Sequence, residues 1–498
     1  MHAEPDHQYD SEPAAPAEDK KAGLAYWAAR VLEEADKASH DFAPDPVHDL
    51  RVAIRRCRSM ADGFLSVDPD PAWRQMKKLG KGLFASLGDL RDAQVMIEWT
   101  EKLSAADDPL REILLDSLHQ REDALKLVAK EAVGKFDRKR WTALNAKLAE
   151  RATGVPLEGL VFQYLALERW HEAYELHRTA LRNRSAVAYH QLRIGIKRLR
   201  YTVENFLPER HHRWSRDLRD LQDALGEVHD FDVLWSRVKS HPEVGLEERV
   251  LWQQTISAER QERIAFYRKK MLGRESLWQK WRAELPSGDE LAEAALQKMR
   301  TWAAFLDPDD KHAQLVTNLA LEIYDGLVRD GVLAESEPSR RILEAAAVMH
   351  DVGRGKNGGH RMRGYRMIRK LKAPAGWTEE YLQRVAIVAH FHRGALPPRN
   401  HPIFAGLPSQ RYAELMPLAG VLRLANALDE LHDQRISSAE VKHRKGALTI
   451  YAQGLPGSIS PFGEQLARAR YLLECCVKMP IVLRPMPSRR RPMPQNPG

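Results

Sequence analysis

The stretch that decides the fold occurs twice, as HDLRVAIRRCRS at residues 48–59 and as HQLRIGIKRLRY at residues 190–201. In each copy a histidine is followed by cations three, seven and ten positions later. Residues three or four apart share one face of an α-helix, so each copy predicts a helix with a cationic strip beside its apolar face. A second motif follows each copy, LGDLRDAQVM at 87–96 and LGEVHDFDVL at 225–234. Two motifs repeated in the same order indicate a duplicated domain half.

The two cationic strips favour an anionic ligand. Between Arg51 and Arg58 the sequence contains no carboxylate, and like charges at this spacing destabilise a helix by about 0.2–0.5 kcal/mol per pair. The alternative is a structural network in which acidic residues of the second motif, such as Asp92 and Asp230, pair with the strips. Histidine, arginine and lysine without an interleaved aromatic suit a ligand made of phosphate without a base. The first strip is His48, Arg51, Arg55 and Arg58, and the second strip is His190, Arg193, Lys197 and Arg200.

The two histidine-headed basic helices, each followed by an LGxxxD motif, resemble the CHAD domain (conserved histidine α-helical domain) over about residues 20–285. The resemblance implies a duplicated pair of four-helix bundles related by pseudo-twofold symmetry, with inorganic polyphosphate bound in a basic central cavity. One departure is His229, which stands where the first copy has Arg91. The polyphosphate-binding residues implied by the resemblance are His48, Arg51, Arg55, Arg58, Lys78, Lys81, His190, Arg193, Lys197, Arg200, Arg216 and Arg219.

A different signal lies in the second half of the chain, where His350 and Asp351 stand together in AVMHDVGRG. Such a pair alone is more often a satisfied histidine near a helix end. Here His312 lies on an amphipathic helix upstream, and Asp429 lies on another predicted helix downstream. Imidazole with carboxylate suits Mn, Mg, Zn, Fe, Co or Ni without choosing among them. A divalent metal on this set would activate a water for hydrolysis of a phosphoester or phosphoanhydride.

Three stretches of this half, VMHDVGRGKNGGHRMRGYRMI, VAHFHRGALPP and LRLANALD, resemble the HD-domain phosphohydrolase superfamily, and most of all the C-terminal HD region of exopolyphosphatases, over about residues 295–490. Met362 departs from the pattern, because those proteins commonly carry another histidine there. The catalytic site of full exopolyphosphatases lies in a different domain, whose Gly-rich phosphate loop this sequence lacks. The resemblance implies metal ligands at His312, His350, Asp351 and Asp429, catalytic roles for His350 and Asp351, and a second metal or a phosphate at His360, His390, His392 and Arg393.

Composition agrees with a moderately basic cytoplasmic protein. The chain has 498 residues, a formal net charge of +8 and a pI near 9.2, which is compatible with an anionic partner. Its three cysteines form no CxxC pair and no disulfide framework, as is typical of a reducing compartment. No run of about 18 apolar residues predicts a membrane span, and the acidic N-terminus lacks the apolar core of a signal peptide.

The sequence predicts a mainly α-helical fold. The HD-type region is expected to be helical and to end in a small β-containing appendage, with a hairpin that turns near Lys445–Gly446. The expected segments are a disordered acidic N-terminus at 1–20, a CHAD-like domain at 21–288 with halves at about 21–150 and 157–288, an HD-type domain at 295–440, the appendage at 441–485 and a basic Pro-rich tail at 486–498.

Three functions are compatible with these features. The first is a polyphosphate-binding protein whose HD-type domain hydrolyses polyphosphate or a nucleotide. The second is a non-enzymatic protein that binds polyphosphate, associates with polyphosphate granules and uses the HD fold for regulation. The third, by charge alone, is a nucleic-acid binder, although the strips lack the stacking aromatics and the recognition module that specific nucleic-acid readers use.

Overall fold

The computed structural model describes residues 23–105, 107–307, 309–355, 359–456 and 461–486. Over these residues the chain forms seventeen α-helices, one short 3-10 helix and three β-strands, which confirms the expected mainly α-helical fold with a small sheet. The chain divides into two compact units, residues 1–287 and 288–498. The predicted disordered start, and the predicted tail beyond Met486, lie outside the described residues. None of the described helices is both long enough and apolar enough to cross a membrane.

The first unit consists, over its described residues, of two successive sets of five helices. Several of them begin at the punctuation seen in the sequence, because proline fits the first helical turn and an aspartate before it caps the helix. The first set is α1 (Leu24–Ala38), α2 (Pro44–Phe64), α3 (Pro71–Leu103), α4 (Pro109–Gly134) and α5 (Arg138–Ala152). The second set is α6 (Leu160–Asn183), α7 (Ala186–Phe206), α8 (Pro208–Ser240), α9 (Leu246–Met271) and α10 (Leu277–Ala283).

The helix lengths make the duplication visible. α2 and α7 each have 21 residues, α3 and α8 each have 33, and α4 and α9 each have 26. The packing repeats as well, because α5 lies against α1 and α10 lies against α6. Each half therefore contains the four helices expected and a fifth helix that closes back onto the first.

α2 and α7 bury the apolar faces that the periodicity of the sequence predicts. Leu50, Ile54 and Phe64 on α2 are fully or almost fully buried, as are Ile196 and Phe206 on α7. The two helices also pack against each other, and the rings of Phe64 and Phe206 meet edge to face with their centroids 5.4 Å apart. Burial of these faces fixes the direction of the cationic strip that lies beside each of them.

The second unit packs its helices around one central helix. That helix contacts four of the others and is buried on almost every side from Leu415 to Leu428, which explains why its sequence is apolar throughout. The helices are α11 (Gly288–Ala304), α12 (Asp310–Arg329), α13 (Glu337–Val348), α14 (His360–Arg369), α15 (Glu379–His390), the central α16 (Ser409–Leu428) and α17 (Pro461–Val477), with a 3-10 turn at Pro402–Phe404.

A three-stranded sheet completes the second unit. β1 (Ser438–Arg444) and β2 (Ala447–Gln453) form the expected antiparallel hairpin, which turns at Lys445 and Gly446 with φ values of 50° and 74°. β3 (Ile481–Pro485) pairs with β2 in parallel, so the chain must cross over between them, and α17 makes that crossover. The sequence analysis predicted the hairpin within a small β-containing appendage and did not anticipate α17.

Candidate functional site

The first candidate site is formed by the two cationic strips on α2 and α7. Arg51 and Arg55 of α2, and Arg193 and Lys197 of α7, are all half-buried. Burial, followed by the charges of Arg193 and Arg55, holds the pKa of Lys197 well below its usual value. Burial, followed by Arg55 and its other cationic neighbours, lowers the pKa of Arg51 to about 10 although Asp92 opposes this. The two strips are therefore close enough to repel each other.

These four cations exceed the acidic groups around them. The charge of Asp92 acts on Arg51, and the charge of Asp230 acts on Lys197. Over the described residues, neither carboxylate lies within ion-pair distance of a strip cation, and the strip's Arg55, like Lys197, has no acidic partner. Burial raises the pKa of Asp230 to about 6 in spite of the cations nearby. The surplus of buried positive charge favours a bound anion.

The LG pair of the second motif makes room for an arginine of each strip. A Cβ atom on Gly88 would lie 2.8 Å from Nη1 of Arg51, and the atom nearest to a Cβ on Gly226 would be Nε of Arg193, at 3.9 Å. Nη1 of Arg51 also donates to the carbonyl oxygen of Phe84 at 3.1 Å. The glycine of the repeated motif thus lets an arginine side chain lie directly on the backbone of α3, and the equivalent space exists on α8.

Aromatic rings orient the guanidinium groups of the first strip. Arg51 and Arg58 lie 4.6 Å and 4.9 Å from the centroid of the Phe84 ring, and Arg55 lies 5.1 Å from the centroid of the Tyr201 ring. The sequence analysis missed both rings, since Phe84 belongs to another helix and Tyr201 lies beyond the second strip. Burial also lowers the pKa of Arg58.

The remaining residues of the predicted set have different surroundings. Arg200 is buried and lies 3.8 Å from Glu204, which also accepts a hydrogen bond from Arg56. A carboxylate of the same helix therefore lies beside this end of the second strip, whereas the structural alternative expected acidic residues of the second motif there. His48 is half-buried in α2. The four cations predicted from the third helices are exposed and, in the part of the chain that the structure describes, form no ion pair: Lys78, Lys81, Arg216 and Arg219.

His190, at the head of the second strip, forms a pair with His229. Their Nδ1 atoms are 3.2 Å apart, so one ring donates to the other. Burial and then Arg193 lower the pKa of both rings, that of His229 to about 4. The pair lines an open groove of about 520 Å³ between α7 and α8, together with Asp232 and Arg237.

The first half lacks this histidine pair. Arg91 occupies the position of His229 and forms an ion pair with Glu98 at 2.9 Å. Because the first half has Arg91 where the second half has His229, the two halves differ in charge at this position.

The second candidate site lies in the second unit, where segments far apart in the sequence meet. His312 lies in the first turn of α12, and His350 and His392 each lie two residues beyond the end of a helix, α13 and α15 respectively. These three histidines and Asp351 are at most 3% exposed. Nε2 of His350 is 3.3 Å from Nε2 of His312, and Nε2 of His392 is 3.5 Å from Oδ1 of Asp351.

Backbone hydrogen bonds set the tautomers of His350 and His392. Nδ1 of each ring donates, over 2.7 Å, to the carbonyl oxygen three residues earlier, that of Ala347 or Ala389. Nε2 of each ring then presents a lone pair to the site. Over the described residues, Nε2 of His392 and Oδ1 of Asp351 are buried without a hydrogen-bond partner. Unprotonated donor atoms that face one another in this way are the arrangement that a divalent cation stabilises.

Asp429 lies behind His312 and not among the donor atoms. Its Oδ2 accepts from Nδ1 of His312 at 2.7 Å, and its Oδ1 accepts from the backbone N–H of Gln434 at 2.9 Å. Both oxygens of Asp429 therefore accept hydrogen bonds, and Asp429 is in neither group of clustered donor atoms; the direct ligand role that the resemblance implied for it stays a prediction. A carboxylate in this position orients the imidazole and makes it a stronger donor.

Two groups of three donors share Asp351. One is His312, His350 and Asp351, the other is Asp351, His360 and His392, and the donor atoms within each group lie within 4.8 Å of one another. Burial raises the pKa of Asp351, but the charges of His350, His392 and Arg354 outweigh it and lower that pKa to about 2. The carboxylate is therefore ionised across the physiological range, as a carboxylate that is to hold a metal would need to be. The residues fit a divalent metal, and Met362 does not prevent a second group from forming.

The structure adds three residues to this site that the sequence analysis did not select. The ring of His432 lies against that of His312, with centroids 3.8 Å apart and planes tilted by 32°, and its Nδ1 is 2.6 Å from Oδ2 of Asp309. Arg354 lies 3.4 Å from Asp351, and Asp307 is buried beside it with its pKa raised by burial and by the Asp351 charge. The signal for His432 was a second His–Asp pair, at residues 432–433.

Comparisons with known proteins agree with both resemblances at a coarse level. Residues 23–239 match the family model of the CHAD domain, which confirms the resemblance drawn from the repeated motifs. Residues 277–451 match the model of the Ppx/GppA phosphatase, domain III. A crystal structure of the CHAD domain from the plant Ricinus communis is similar over 54% of this chain and 94% of that chain, with 21% sequence identity and a TM-score of 0.38. No curated protein matches this chain.

Proposed function

We propose that the first unit binds inorganic polyphosphate along the two cationic strips. The observation that carries this proposal is the set of half-buried cations, Arg51, Arg55, Arg193 and Lys197, that come from both strips and lack a carboxylate at ion-pair distance among the described residues. A chain of phosphates supplies a negative charge at every unit, so one ligand can neutralise several cations at once.

The same contacts favour polyphosphate over nucleic acid. Single-stranded nucleic acid binds by stacking its bases on exposed aromatic rings. The aromatic rings beside the strips, Phe84 and Tyr201, are instead covered by the guanidinium groups of Arg51 and Arg55. A ligand without bases loses nothing by this arrangement.

The test is retention of polyphosphate by the full chain with Arg55→Glu and Lys197→Glu. Each change reverses a charge inside a strip and leaves the apolar face of its helix intact, so we expect retention to be lost in both variants with the fold preserved. Lys130→Glu, which reverses an exposed charge on α4, is the matched control and should bind normally. Unchanged retention by both strip variants would contradict the proposal. Duplex DNA should compete poorly, and effective competition by DNA would favour the nucleic-acid alternative.

A second function is supported by the donors around Asp351. We propose that the second unit is an HD-type, metal-dependent phosphohydrolase domain acting on polyphosphate or a nucleotide. His312, His350, Asp351, His360 and His392 would hold the metal, with Asp429 orienting His312. A bound divalent metal lowers the pKa of its water and so supplies hydroxide near neutral pH.

The chain's own residues perform the rest of this function. His350 and His392 are held rigid by their bonds to Ala347 and Ala389, so their lone pairs stay directed at the metal position. Asp351 stays ionised between the two donor groups. Arg354, which lies beside Asp351 and is otherwise exposed, supplies positive charge at the rim for a phosphate.

Phosphate release from long-chain polyphosphate with Mn²⁺, compared between the wild type and Asp351→Asn, tests the enzymatic function. Release that is lost in the variant supports a polyphosphatase with its own substrate-binding unit. If neither protein releases phosphate from polyphosphate or from nucleotides, the binding function stands alone and the protein is a polyphosphate-associated component of the cytoplasm, for example of granules. A metal content of zero in the wild type after gentle purification would count against the proposed ligands.

A further inference from the structure

Three arginines of the second unit converge on the turn that follows α15. Nη1 of Arg361, from α14, donates to the carbonyl oxygen of Arg393 at 2.7 Å, and Nη2 of Arg423, from α16, donates to the carbonyl oxygen of Gly394. Gly394 has a φ of +87°, and a Cβ atom there would overlap the guanidinium of Arg361. Arg361, Arg393 and Arg423 are called the arginine cluster below.

The arginine cluster contains no carboxylate. Over the described residues, none of its three side chains forms an ion pair. Arg423 is only 8% exposed, and its Nη1 is buried without a hydrogen-bond partner. His390 is only 6% exposed, and its Nδ1 is likewise without a partner. A buried guanidinium that has no counter-ion, and that leaves one of its nitrogens without a hydrogen-bond acceptor, is costly unless an anion completes the site.

Electrostatic effects show that these groups are neighbours. Burial and then the charge of Arg361 lower the pKa of Arg423. Burial lowers the pKa of His390 although a hydrogen bond to the backbone of Arg361 raises it, and the charges of Arg361 and His401 lower it further. Asp351, whose charge acts on the neighbouring His360, is already engaged among the histidine donors.

The arginine cluster borders the His/Asp donors without being part of them. Nε of Arg393 donates to Nε2 of His360 at 3.0 Å, and the rings of His360 and His392 are 5.7 Å apart. A ligand that reaches from the donors past His360 would therefore meet Arg393 first, and Arg361 and Arg423 behind the same turn.

We propose that the arginine cluster, with His390, is an anion subsite that binds a second phosphate group of the substrate while the first lies at the His/Asp donors. The substrate class is then a phosphoanhydride, with at least two linked phosphates, and not a phosphomonoester. The position of the first phosphate rests on the hydrolase function proposed above, whereas binding of phosphate by the cluster does not. Arginine suits this role because its planar fork matches two phosphate oxygens.

The test is calorimetric titration of pyrophosphate into the full chain that carries Arg55→Glu and Lys197→Glu, with EDTA present. The two changes remove binding by the strips, and EDTA removes binding by a metal. We expect one pyrophosphate to bind per chain. Arg361→Gln and Arg423→Gln should each weaken this binding at least tenfold. Arg366→Gln, which changes an exposed arginine on the same helix as Arg361, should leave it unchanged. Absence of pyrophosphate binding, or equal binding by all three variants, would overturn the proposal.

Two further variants separate failure of the subsite from other failures. Arg361 is only half-buried, so Arg361→Gln tests pyrophosphate binding by the cluster even if Arg423→Gln unfolds the protein. Arg361→Lys should bind more tightly than Arg361→Gln, because lysine keeps the positive charge although it lacks the planar guanidinium. Asp351→Asn should retain pyrophosphate binding in EDTA. If Asp351→Asn and the wild type both lack hydrolysis but bind pyrophosphate, the hydrolase function fails and the subsite stands.

Competition identifies the source of the phosphates. Tripolyphosphate should displace pyrophosphate, and AMP should not, because it has a single phosphate. Displacement by ATP as well as tripolyphosphate assigns the subsite to phosphoanhydrides in general, and displacement by tripolyphosphate alone assigns it to inorganic polyphosphate. AMP that competes as well as pyrophosphate would contradict a subsite for a second phosphate.

Discussion

Single residues decide how close the strips come to the helices behind them. Gly88 is the clearest case, because the Arg51 guanidinium occupies the space that any side chain at position 88 would need. Glycine at position 88 is therefore required for Arg51 to hold its observed position.

Gly88→Ala should weaken polyphosphate binding about tenfold, because the new Cβ atom displaces Arg51 from its position beside Phe84. The hydrogen bond to the Phe84 carbonyl is worth about 1.5–3 kcal/mol, and its loss outweighs the gain of about 0.5–1 kcal/mol from alanine in a helix, so the free energy of unfolding should fall. Binding isotherms and urea unfolding measured together check both effects. Gly82→Ala, whose Cβ meets nothing within 4 Å, and Gly226→Ala, whose nearest atom is 3.9 Å away, are the controls and should bind normally. Equal binding by Gly88→Ala and Gly82→Ala would show that Arg51 does not bind the ligand.

A second residue, Asp230, links binding to pH. Burial raises its pKa from 3.8 to about 6 although Arg193 and Lys197 act in the opposite direction. The carboxylate is therefore ionised at pH 7.5, where it competes with polyphosphate for these cations, and protonated at pH 5, where it does not. Because the folded-state pKa is raised, the carboxylate reduces stability above pH 6 and this loss disappears as the pH falls towards 4.

Asp230→Asn should accordingly bind polyphosphate more tightly than the wild type at pH 7.5, by about three- to tenfold, and equally well at pH 5. Titration at the two pH values, at one salt concentration, measures the difference. Asp220→Asn on the same helix controls for the loss of one negative charge. An affinity gain that is the same at both pH values would contradict the role given to Asp230.

The sequence predicts the strip positions well because helical periodicity fixes the direction of each side chain once the apolar face is known. It predicts their partners poorly. Phe84 and Tyr201 reach the arginines across helix contacts that no local spacing encodes. The same holds for Arg361 and Arg423, which read as ordinary surface and helix residues until the turn at Gly394 brings them together.

At the scale of helices, the contact between α2 and α7 joins the two halves of the first unit. Glu204 of α7 accepts from Arg56 of α2 and lies 3.8 Å from both Arg200 and His211. Its side chain is 6% exposed and that of Arg56 is 10% exposed. This buried carboxylate therefore holds the repeat together where the strips end.

Glu204→Gln should lower the free energy of unfolding by about 3–5 kcal/mol, because it leaves buried guanidinium charge without its acidic partner. Urea unfolding followed by circular dichroism measures the loss. Replacing both partners by apolar residues, Arg56→Met with Glu204→Leu, should recover the part of the loss that comes from Arg56, whereas Arg200 still loses this carboxylate. Glu209→Gln, an exposed change on α8, should have no effect. A loss below about 1 kcal/mol for Glu204→Gln would mean that apolar packing alone joins the halves.

Elements that carry a repeated or strongly periodic pattern could be predicted from the sequence, and those that follow from packing could not. The duplicated helices have a local signal in their repeated motifs. The hairpin has one in Gly446, since glycine readily adopts the positive φ that the turn requires. α17 has no such signal as a crossover, because its place is set by the parallel pairing of β2 with β3. The fifth helix of each half is likewise defined by its contact with the first.

At the scale of the whole molecule, the chain carries two candidate sites of opposite chemistry. In the first unit, the strip cations Arg51, Arg55, Arg193 and Lys197 have no carboxylate at ion-pair distance among the described residues. The donors of the second unit instead bring together unprotonated histidine nitrogens and a carboxylate. The sequence could predict the members of each set, because the motifs name them. It could not predict that Asp429 stands behind His312, since a motif states which residue types recur and not which of their atoms are already bonded.

Divalent metal should therefore stabilise the second unit and leave the first unit unchanged. A ligand that binds only the folded state adds about 2.7 kcal/mol of stability at a concentration a hundredfold above its dissociation constant. Hydrogen exchange of the full chain, with Mn²⁺ or with EDTA, should show slower exchange around residues 347–354 and 389–393 and no change in α2 and α7. Asp351→Asn should abolish the difference, because Asp351 belongs to both donor groups, and Glu335→Gln, an exposed acid of the same unit, should retain it. Protection that survives in Asp351→Asn would place the metal elsewhere and remove the basis for hydrolysis at these donors.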